Sequence, residues 1–246
     1  MERVVAIIEA RMASSRLPKK VMLPLGNIPV IEFIINRLKK SKEIHEICVA
    51  TTKNEEDDVL ADFLKGIGIQ VYRGSDWNVL ERVIEAGKAL RADILVEVTG
   101  DCPFVDSELL DYMLDLLRSN DLEYVSNNFK VTYADGFDLQ VYYYETLKRL
   151  ADMNVSHLEK EHVTMKIRQE PQLFKTLNLI APEKFRRPNY SVTLDTYEDY
   201  EVIKVIFEHM KAQYNDRYGI AEITDFLDKN PQISKMNGNV PRKGFS

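Results

Sequence analysis

Residues 4–20 read VVAIIEARMASSRLPKK, from Val4 to Lys20. The run from Val4 to Ile8 is continuously apolar and rich in β-branched residues, which is typical of a strand buried on both faces of a parallel sheet. A polar, basic loop follows and extends to Pro24. Ligands of open parallel sheets bind beyond the carboxyl ends of the strands, where this loop would lie. The stretch therefore predicts an α/β fold with a ligand-binding loop after its first strand.

Strand-like and helix-like segments alternate through the first half of the chain, which indicates crossover connections in a mostly parallel sheet. After the first strand, apolar strand patterns occur at residues 44–51, 69–72 and 94–98, and helical patterns occur at 28–38, 55–64, 79–90 and 106–117. In the second half we expect strands at 137–144, 173–180 and 191–194, and helices at 155–168, 198–210 and 220–228. Residues 1–234 would form one domain, and residues 235–246 a flexible tail.

The composition excludes several classes of protein. The chain has 246 residues, 45% of them hydrophobic, and a formal net charge of -6, which is unfavourable for a general nucleic-acid binder. Two widely spaced cysteines, Cys48 and Cys102, form neither a disulfide framework nor a zinc motif. The early apolar run at 4–8 is too short to cross a bilayer and lacks a signal-peptide cleavage pattern. We therefore expect a cytoplasmic protein without membrane or nucleic-acid partners.

The loop after the first strand concentrates cations. Arg11, Arg16, Lys19 and Lys20 lie within ten residues, and Ser14 adds a hydroxyl group. Cations that face one crevice repel one another unless an anion binds among them. A triphosphate is such an anion, because arginine and lysine both pair with phosphate oxygens. A solvated basic loop is the alternative. The chain has neither a Walker lysine loop nor a GxGxxG motif after a strand.

Two aspartates are candidate metal ligands. Asp101 follows the buried strand at 94–98 and would enter the same crevice as the basic loop, where Mg²⁺ takes one or two carboxylates plus substrate phosphates. A turn-capping role is the alternative for Asp101. Asp195 follows the strand-like residues 191–194 and precedes a helix, so it fits either a metal ligand or a helix cap.

Other motifs leave their roles open. The turn Arg73-Gly74-Ser75 fits either close ligand approach or a plain strand-to-helix connection. His157 and His162 are five positions apart and do not form a zinc pair on one helix face. Neither cysteine has a neighbouring base, so a thiol nucleophile is not indicated.

These motifs, taken in order, resemble a known family. The segment Ile7 to Val21 is similar to the ARxxSxRLPxK opening of cytidylyltransferases that activate acidic sugars, and the similarity is greatest to the spore coat polysaccharide biosynthesis protein F branch. CMP-Kdo synthetase and acylneuraminate cytidylyltransferase are more distant relatives. Further matching motifs begin at Val49, Arg73, Thr99, Asp135, Glu161 and Thr193, so the resemblance covers about residues 3–210.

The resemblance implies a three-layer nucleotide-diphospho-sugar transferase fold of the glycosyltransferase-A type, usually dimeric. It implies transfer of CMP from CTP to an acidic sugar with Mg²⁺. The implied nucleotide-binding residues are Ala10, Arg11, Ser14, Arg16, Lys20, Arg73, Gly74 and Ser75, and the catalytic ones Arg11, Arg16, Lys20 and Asp101. Metal ligands would be Asp101 and Asp195, and candidate acceptor contacts Asp138, Gln140 and His162. Residues of about 137–190 would serve acceptor binding and dimerisation.

This chain departs from the family pattern at four positions without losing a phosphate or metal ligand. Ala13 and Lys19 stand where glycine is common, Gln140 where the branch often has glutamate, and Tyr197 where proline is usual. A glycosyltransferase on the same fold is a second hypothesis, although no two aspartates are spaced as Asp-x-Asp. A non-catalytic partner in a polysaccharide pathway and an enzyme that uses another nucleoside triphosphate are further alternatives.

Overall fold

The computed structural model describes residues 2–242, and all statements of presence or absence below concern this range. Its strands are β1 Val4–Glu9, β2 Pro24–Leu25, β3 Ile28–Pro29, β4 Glu46–Thr52, β5 Gln70–Gly74, β6 Ile94–Thr99, β7 Tyr124–Ser126, β8 Gln140–Tyr143 and β9 Thr176–Asn178. Its α-helices are α1 Val30–Leu38, α2 Asp58–Gly66, α3 Val79–Ala89, α4 Ser107–Ser119, α5 Tyr144–Ala151, α6 His157–Glu161, α7 Met165–Gln169, α8 Tyr197–Tyr214, α9 Ile220–Lys229 and α10 Pro231–Ser234.

Seven strands form one sheet in the order β5-β4-β1-β6-β8-β7-β9. Neighbours pair in parallel except β8, which runs antiparallel between β6 and β7. One face of β1 presents Val4, Ala6 and Ile8 to a core that includes α1, α4 and α8, and the opposite face presents Val5 and Ile7 to a core that includes α3 and α5. The predicted three-layer, mostly parallel fold is therefore confirmed.

The expected parallel strands of the first half form close to their predicted bounds, and β1 lies at the centre between β4 and β6. Their carboxyl ends therefore meet at one edge. Gly100 lets two of these ends approach, because a Cβ atom there would lie 3.0 Å from the Glu9 carbonyl oxygen and 3.1 Å from the Ala10 Cβ. The loops after β1 and β6 are thereby brought side by side.

The second half differs from the sequence-based expectation in several places, among them the helix α5, which no sequence pattern indicated. The expected helix at 155–168 is divided into α6 and α7 by a turn at residues 162–164. The expected strand at 191–194 makes only an isolated bridge at Ser191, because its backbone pairs with the loops that carry Asp135 and Asp101 instead of with a strand. β7 is a strand that the sequence pattern did not indicate.

Residues 137–190 do not form a separate body. They supply β8 and β9 to the main sheet, together with α5, α6 and α7. Their predicted part in acceptor binding and dimerisation stays a prediction. Within residues 2–242, no helix combines the length and hydrophobicity needed to span a bilayer.

Residues 235–242 of the expected flexible tail contact the rest of the domain, and their flexibility stays a prediction. Asn237 is 2% exposed, and Arg242 pairs with the buried Asp199. These contacts join residues far apart in sequence, so local composition gave no indication of them. Residues 243–246 of the expected tail lie outside the described range.

Candidate active site

The centre of the site is the Lys20 ammonium group, which lies between two carboxylates. Lys20 Nζ is 2.8 Å from Asp101 Oδ2 and 3.0 Å from Asp195 Oδ1. All three side chains are largely buried. Burial opposes the charge on Lys20, but both aspartates outweigh it and raise the pKa of the ammonium group. Burial would likewise raise the pKa of Asp101, but Lys20 and the Thr99 hydroxyl group hold it below its ordinary value.

Backbone hydrogen bonds bring Asp195 to Asp101. The Leu194 amide donates to the Asp101 carbonyl at 2.8 Å, and the Thr193 hydroxyl donates to the same oxygen at 3.2 Å. Gly136 packs against this segment from the other side, since a Cβ atom there would lie 2.6 Å from the Thr193 nitrogen. The predicted pair of metal ligands therefore does converge, although residues 191–194 form no regular strand.

The two arginines of the basic loop (residues 10–20) are also paired with carboxylates. Arg16 Nη2 lies 2.8 Å from Asp195 Oδ2, and Arg11 Nη1 lies 2.9 Å from Asp76 Oδ1. Ser14 Oγ accepts a hydrogen bond from the Leu17 amide within the loop at 3.4 Å. The alternative of a purely solvated loop therefore does not describe Arg16 and Lys20, which both point to the strand ends.

Buried Asp57 fixes the course of the loop. Its Oδ1 accepts from the Met12 amide at 2.6 Å, and its Oδ2 accepts from the Thr52 amide at 3.2 Å. The Lys19 amide closes the loop by donating to the Met12 carbonyl at 2.9 Å. Lys19 has φ 61°, a left-handed conformation that favours glycine. This explains why the family commonly has glycine at a position where the present chain has lysine.

The predicted nucleotide-binding turn at Arg73-Gly74-Ser75 makes structural contacts. Arg73 Nε donates to the Thr52 carbonyl at 2.8 Å, and its Nη1 lies 2.5 Å from Asp58 Oδ1. The Ser75 hydroxyl accepts from the Asn78 amide at 3.1 Å. The turn thus orders the chain after β4 and the start of α3, and its part in nucleotide binding stays a prediction. Ala10 is buried at the end of β1, and its amide donates to the Ala50 carbonyl at 3.3 Å.

The three candidate acceptor residues differ in their surroundings. Asp138 lies beside the Gly136 amide, which donates to its carboxylate at 3.1 Å, and burial raises the pKa of this group. Gln140 is buried, with its amide nitrogen 3.0 Å from Glu97 Oε1 and its oxygen accepting from the Tyr124 and Thr164 hydroxyl groups. His162 is half-buried at the turn between α6 and α7.

Two glutamates under this edge of the sheet were not singled out from the sequence. Burial raises the pKa of Glu97 to about 7. Hydrogen bonds from Tyr142 and Gln140 stabilise its charged form and offset part of this rise in pKa. Burial and the charge of Glu97 raise the pKa of Glu9 well above its ordinary value, and Glu9 Oε1 is buried without a hydrogen-bond partner. An acidic residue inside or at the end of an otherwise apolar strand pattern was the available signal.

No group of three or more His, Cys, Asp or Glu side chains among residues 2–242 is arranged to hold a metal ion. Asp101 and Asp195 nevertheless meet at one cation, the Lys20 ammonium group. Two hard oxygen donors that converge on one positive charge fit the preference of Mg²⁺.

Comparison with known proteins shows the family. Residues 5–223 match the family described as cytidylyltransferase. The spore coat polysaccharide biosynthesis protein SpsF of Bacillus subtilis is 34% identical over 240 residues, which cover 95% of this chain and 98% of SpsF. A cytidylyltransferase structure from Leptospira borgpetersenii is 31% identical, with a TM-score of 0.89, and the match covers 99% of this chain and 100% of that one.

A more distant structure agrees in fold alone. CMP:2-keto-3-deoxy-manno-octonic acid synthetase, solved in complex with CTP, is 17% identical with a TM-score of 0.61, and the match covers 84% of this chain and 99% of that one. The matches to SpsF and to the Leptospira structure extend over nearly the whole chain, so the resemblance predicted from the sequence motifs is confirmed. The chain therefore belongs to the cytidylyltransferase family of nucleotidyltransferases.

Proposed function

We propose that this enzyme transfers CMP from CTP to a hydroxyl group of an acidic sugar, giving a CMP-sugar and pyrophosphate for surface polysaccharide or glycan biosynthesis. The observation that carries the proposal is the convergence of Lys20, Asp101 and Asp195, with Arg16 paired to the same aspartate. The family supports cytidylyl transfer, and the names of SpsF and of the CMP:2-keto-3-deoxy-manno-octonic acid synthetase support polysaccharide precursors and a sugar acid.

The pairing of charges within the protein suits the binding of a metal–triphosphate complex. Lys20, Arg16 and Arg11 are each paired with a carboxylate. A Mg²⁺–triphosphate complex offers partners to both kinds of protein group. The metal ion would bind the carboxylate oxygens, and the phosphates would bind the lysine and arginine side chains that the carboxylates release. Substrate binding would thus replace one set of ion pairs by another. No buried charge would be left unpaired, and an unpaired buried charge would be strongly destabilising.

Asp101 and Asp195 would hold Mg²⁺, whose remaining ligands would come from substrate phosphates and water. Bound there, the metal ion would withdraw charge from the phosphate oxygens and lower the pKa of a coordinated hydroxyl group. A cluster of two carboxylates rather than three or more suits this arrangement, because Mg²⁺ usually keeps substrate oxygens and several waters as ligands.

The protein's own groups would act mainly by positioning and charge stabilisation. Lys20, Arg16 and Arg11 would neutralise the charge that builds on the departing pyrophosphate as the sugar hydroxyl attacks the α-phosphorus in line. On the acceptor side, Asp138 and His162 remain the candidate contacts. Gln140 would act through Glu97, Tyr124 and Thr164, since both ends of its amide already have buried protein partners.

The test is release of pyrophosphate in the presence of Mg²⁺, with CTP, UTP, GTP and ATP each offered alongside sugar acids and simple sugar phosphates. We expect release with CTP and a sugar acid. Release with another nucleotide would keep the mechanism and overturn the choice of CTP. Consumption of a nucleotide-sugar without use of CTP would favour a glycosyltransferase, and failure to bind any nucleotide with Mg²⁺ would favour a non-catalytic partner.

We also infer a homodimer and a cytoplasmic location from the family resemblance. Sedimentation equilibrium of the purified enzyme tests the first inference, with a mass near twice 28.5 kDa as the expected result. Fractionation of the cells that produce the protein tests the second.

A further inference from the structure

The segment after α10, here called the C-terminal strap (residues 235–242), runs back to the start of α8. Asn237 is buried and its amide nitrogen donates to the Ser191 carbonyl at 3.1 Å and to Asp199 Oδ1 at 2.8 Å. Arg242, five residues further along, reaches the same carboxylate with two nitrogens, Nη1 at 3.0 Å from Oδ2 and Nη2 at 2.7 Å from Oδ1. The strap is therefore anchored on one fully buried aspartate.

Asp199 connects the strap to the backbone of the site. Its Oδ2 accepts hydrogen bonds from the amides of Asp195 at 3.1 Å and Thr196 at 2.9 Å, which completes a capping box at the start of α8. Arg242 pairs with this buried carboxylate through two nitrogens, Asn237 donates a further hydrogen bond to it, and the guanidinium group balances its charge. A charged acceptor binds amide donors more strongly than a neutral one does, so Arg242 strengthens the hold on Asp195.

The strap also reaches Arg16 of the basic loop. Arg16 Nη1 donates to the Pro241 carbonyl at 3.2 Å, while its Nη2 lies 2.8 Å from Asp195 Oδ2. Two adjacent strap residues thus reach the site. Pro241 contacts Arg16, a proposed phosphate ligand, directly, and Arg242 is linked through Asp199 to Asp195, a proposed metal ligand.

Asp195 needs such support because of where it lies. Residues 192–194 belong to no strand, and the chain is held there by single hydrogen bonds to loop carbonyls. Transfer to phosphorus depends on the placement of metal ion and phosphates, and a misplacement of about 1 Å can cost roughly a hundredfold in rate.

We propose that Arg242 is a positioning residue: through Asp199 it fixes the backbone that presents Asp195, and through the adjoining Pro241 carbonyl the strap orients Arg16. This inference rests on the proposed function insofar as it assigns Asp195 to the metal ion and Arg16 to the triphosphate. The strap would determine the affinity for Mg²⁺ and the turnover number without touching either substrate.

The experiment compares Arg242→Ala and Arg242→Lys with a matched control, Arg187→Ala. Arg187 makes an equally close two-nitrogen pair with Asp228, at 2.7 and 2.5 Å, on α9, and contacts neither Asp195 nor Arg16. Three quantities are measured: kcat for pyrophosphate release, the Mg²⁺ concentration that gives half-maximal rate at saturating CTP, and amide hydrogen exchange at Asp195 and Thr196 without substrates.

For Arg242→Ala we expect a roughly tenfold lower kcat, a several-fold higher half-saturating Mg²⁺ concentration and at least tenfold faster exchange at the two amides. Arg242→Lys should recover part of each effect, because it keeps the charge and loses the forked geometry. Arg187→Ala should change none of them, even if its melting temperature falls. Unaltered exchange at the two amides in Arg242→Ala would overturn the proposal.

The outcome is separable from that of the proposed function. Hydrogen exchange is measured without nucleotide, so it decides whether the strap orders Asp195 even if the wild type releases no pyrophosphate. Lack of release with every nucleotide and acceptor would overturn the proposed function. Equal exchange in wild type and Arg242→Ala would overturn the strap's role, whatever the reaction proves to be.

Discussion

Lys20→Met removes the shared cation from between Asp101 and Asp195 and keeps the length of the side chain. Breaking a fully buried ion pair costs about 3–5 kcal/mol. Here Asp101 keeps the Thr99 hydroxyl and Asp195 keeps Arg16, and the side chains of Lys20, Asp101 and Asp195 are 14%, 27% and 17% exposed. We therefore expect a loss near 2 kcal/mol, or a melting temperature lower by roughly 4–8 °C for a domain of this size.

The same substitution should make Mg²⁺ more effective as a stabiliser. With Lys20 gone, a divalent cation no longer competes with an ammonium group for the two carboxylates. At ten times its dissociation constant, a bound ligand adds about 1.4 kcal/mol of stability. Thermal unfolding of Lys20→Met and wild type over a Mg²⁺ titration measures this, and we expect the larger rise in the variant while pyrophosphate release falls by roughly a hundredfold or more.

Lys148→Met is the matched control, because Lys148 makes an exposed pair with Glu145 at 2.8 Å. We expect that variant to melt close to the wild type and to respond to Mg²⁺ as the wild type does. If Lys20→Met melts like the wild type, the described ion pairs do not contribute to stability. If Mg²⁺ stabilises both proteins equally, the carboxylates that pair with Lys20 are not the metal site.

Three further predictions concern other parts of the site. Arg16→Ala should lower kcat for pyrophosphate release by roughly 10²–10³-fold through loss of charge stabilisation, and wild-type turnover would refute this role. Folding raises the pKa of Glu97 from 4.5 to about 7, so this group stabilises the fold fully below pH 4.5 and loses that effect as the pH rises to 7. The free energy of unfolding should fall over this range by on the order of 3 kcal/mol at most. Urea unfolding between pH 5 and 8 should therefore show a smaller decline in Glu97→Gln than in the wild type, and parallel curves would contradict the assignment. CTP with Mg²⁺ should draw Arg11 away from Asp76 and change the fluorescence of the neighbouring Trp77, the single tryptophan of the chain; saturating CTP without any change would count against this exchange of partners.

The first half of the fold was predictable because its signals are local. β1, β4 and β6 are predominantly apolar runs, and the intervals between them have helical periodicity, so crossover connections were expected. β7 was missed because a three-residue strand shows no periodicity of its own and is defined by its neighbours β8 and β9. Residues 191–194 have a strand-like sequence but pair with loops, which only the assembled fold determines.

The site was predictable to the extent that strand ends determine it. Lys20 and Asp101 follow neighbouring parallel strands, and their approach was expected from that rule. Asp57 and Arg242 could not be identified in the same way. Asp57 contacts Met12 and Arg242 contacts Asp199, and in each pair the two residues are 43 or more positions apart. The local sequence around Asp57 or Arg242 does not identify such a distant partner.

The contact between Arg16 and the Pro241 carbonyl spans 225 positions of sequence and has a consequence for biosynthesis. During translation, β1 and its basic loop leave the ribosome before β4 and β6, and the sheet can assemble as those strands follow. The last contact with the loop has to wait until the ribosome has released residue 242. A nascent chain that stops near Ser234 would hold every strand and nearly every buried side chain, yet Arg16 would lack one of its hydrogen bonds. Assembly of the sheet and completion of the site are therefore separate events in time. A correctly assembled sheet does not by itself mean that the site is complete.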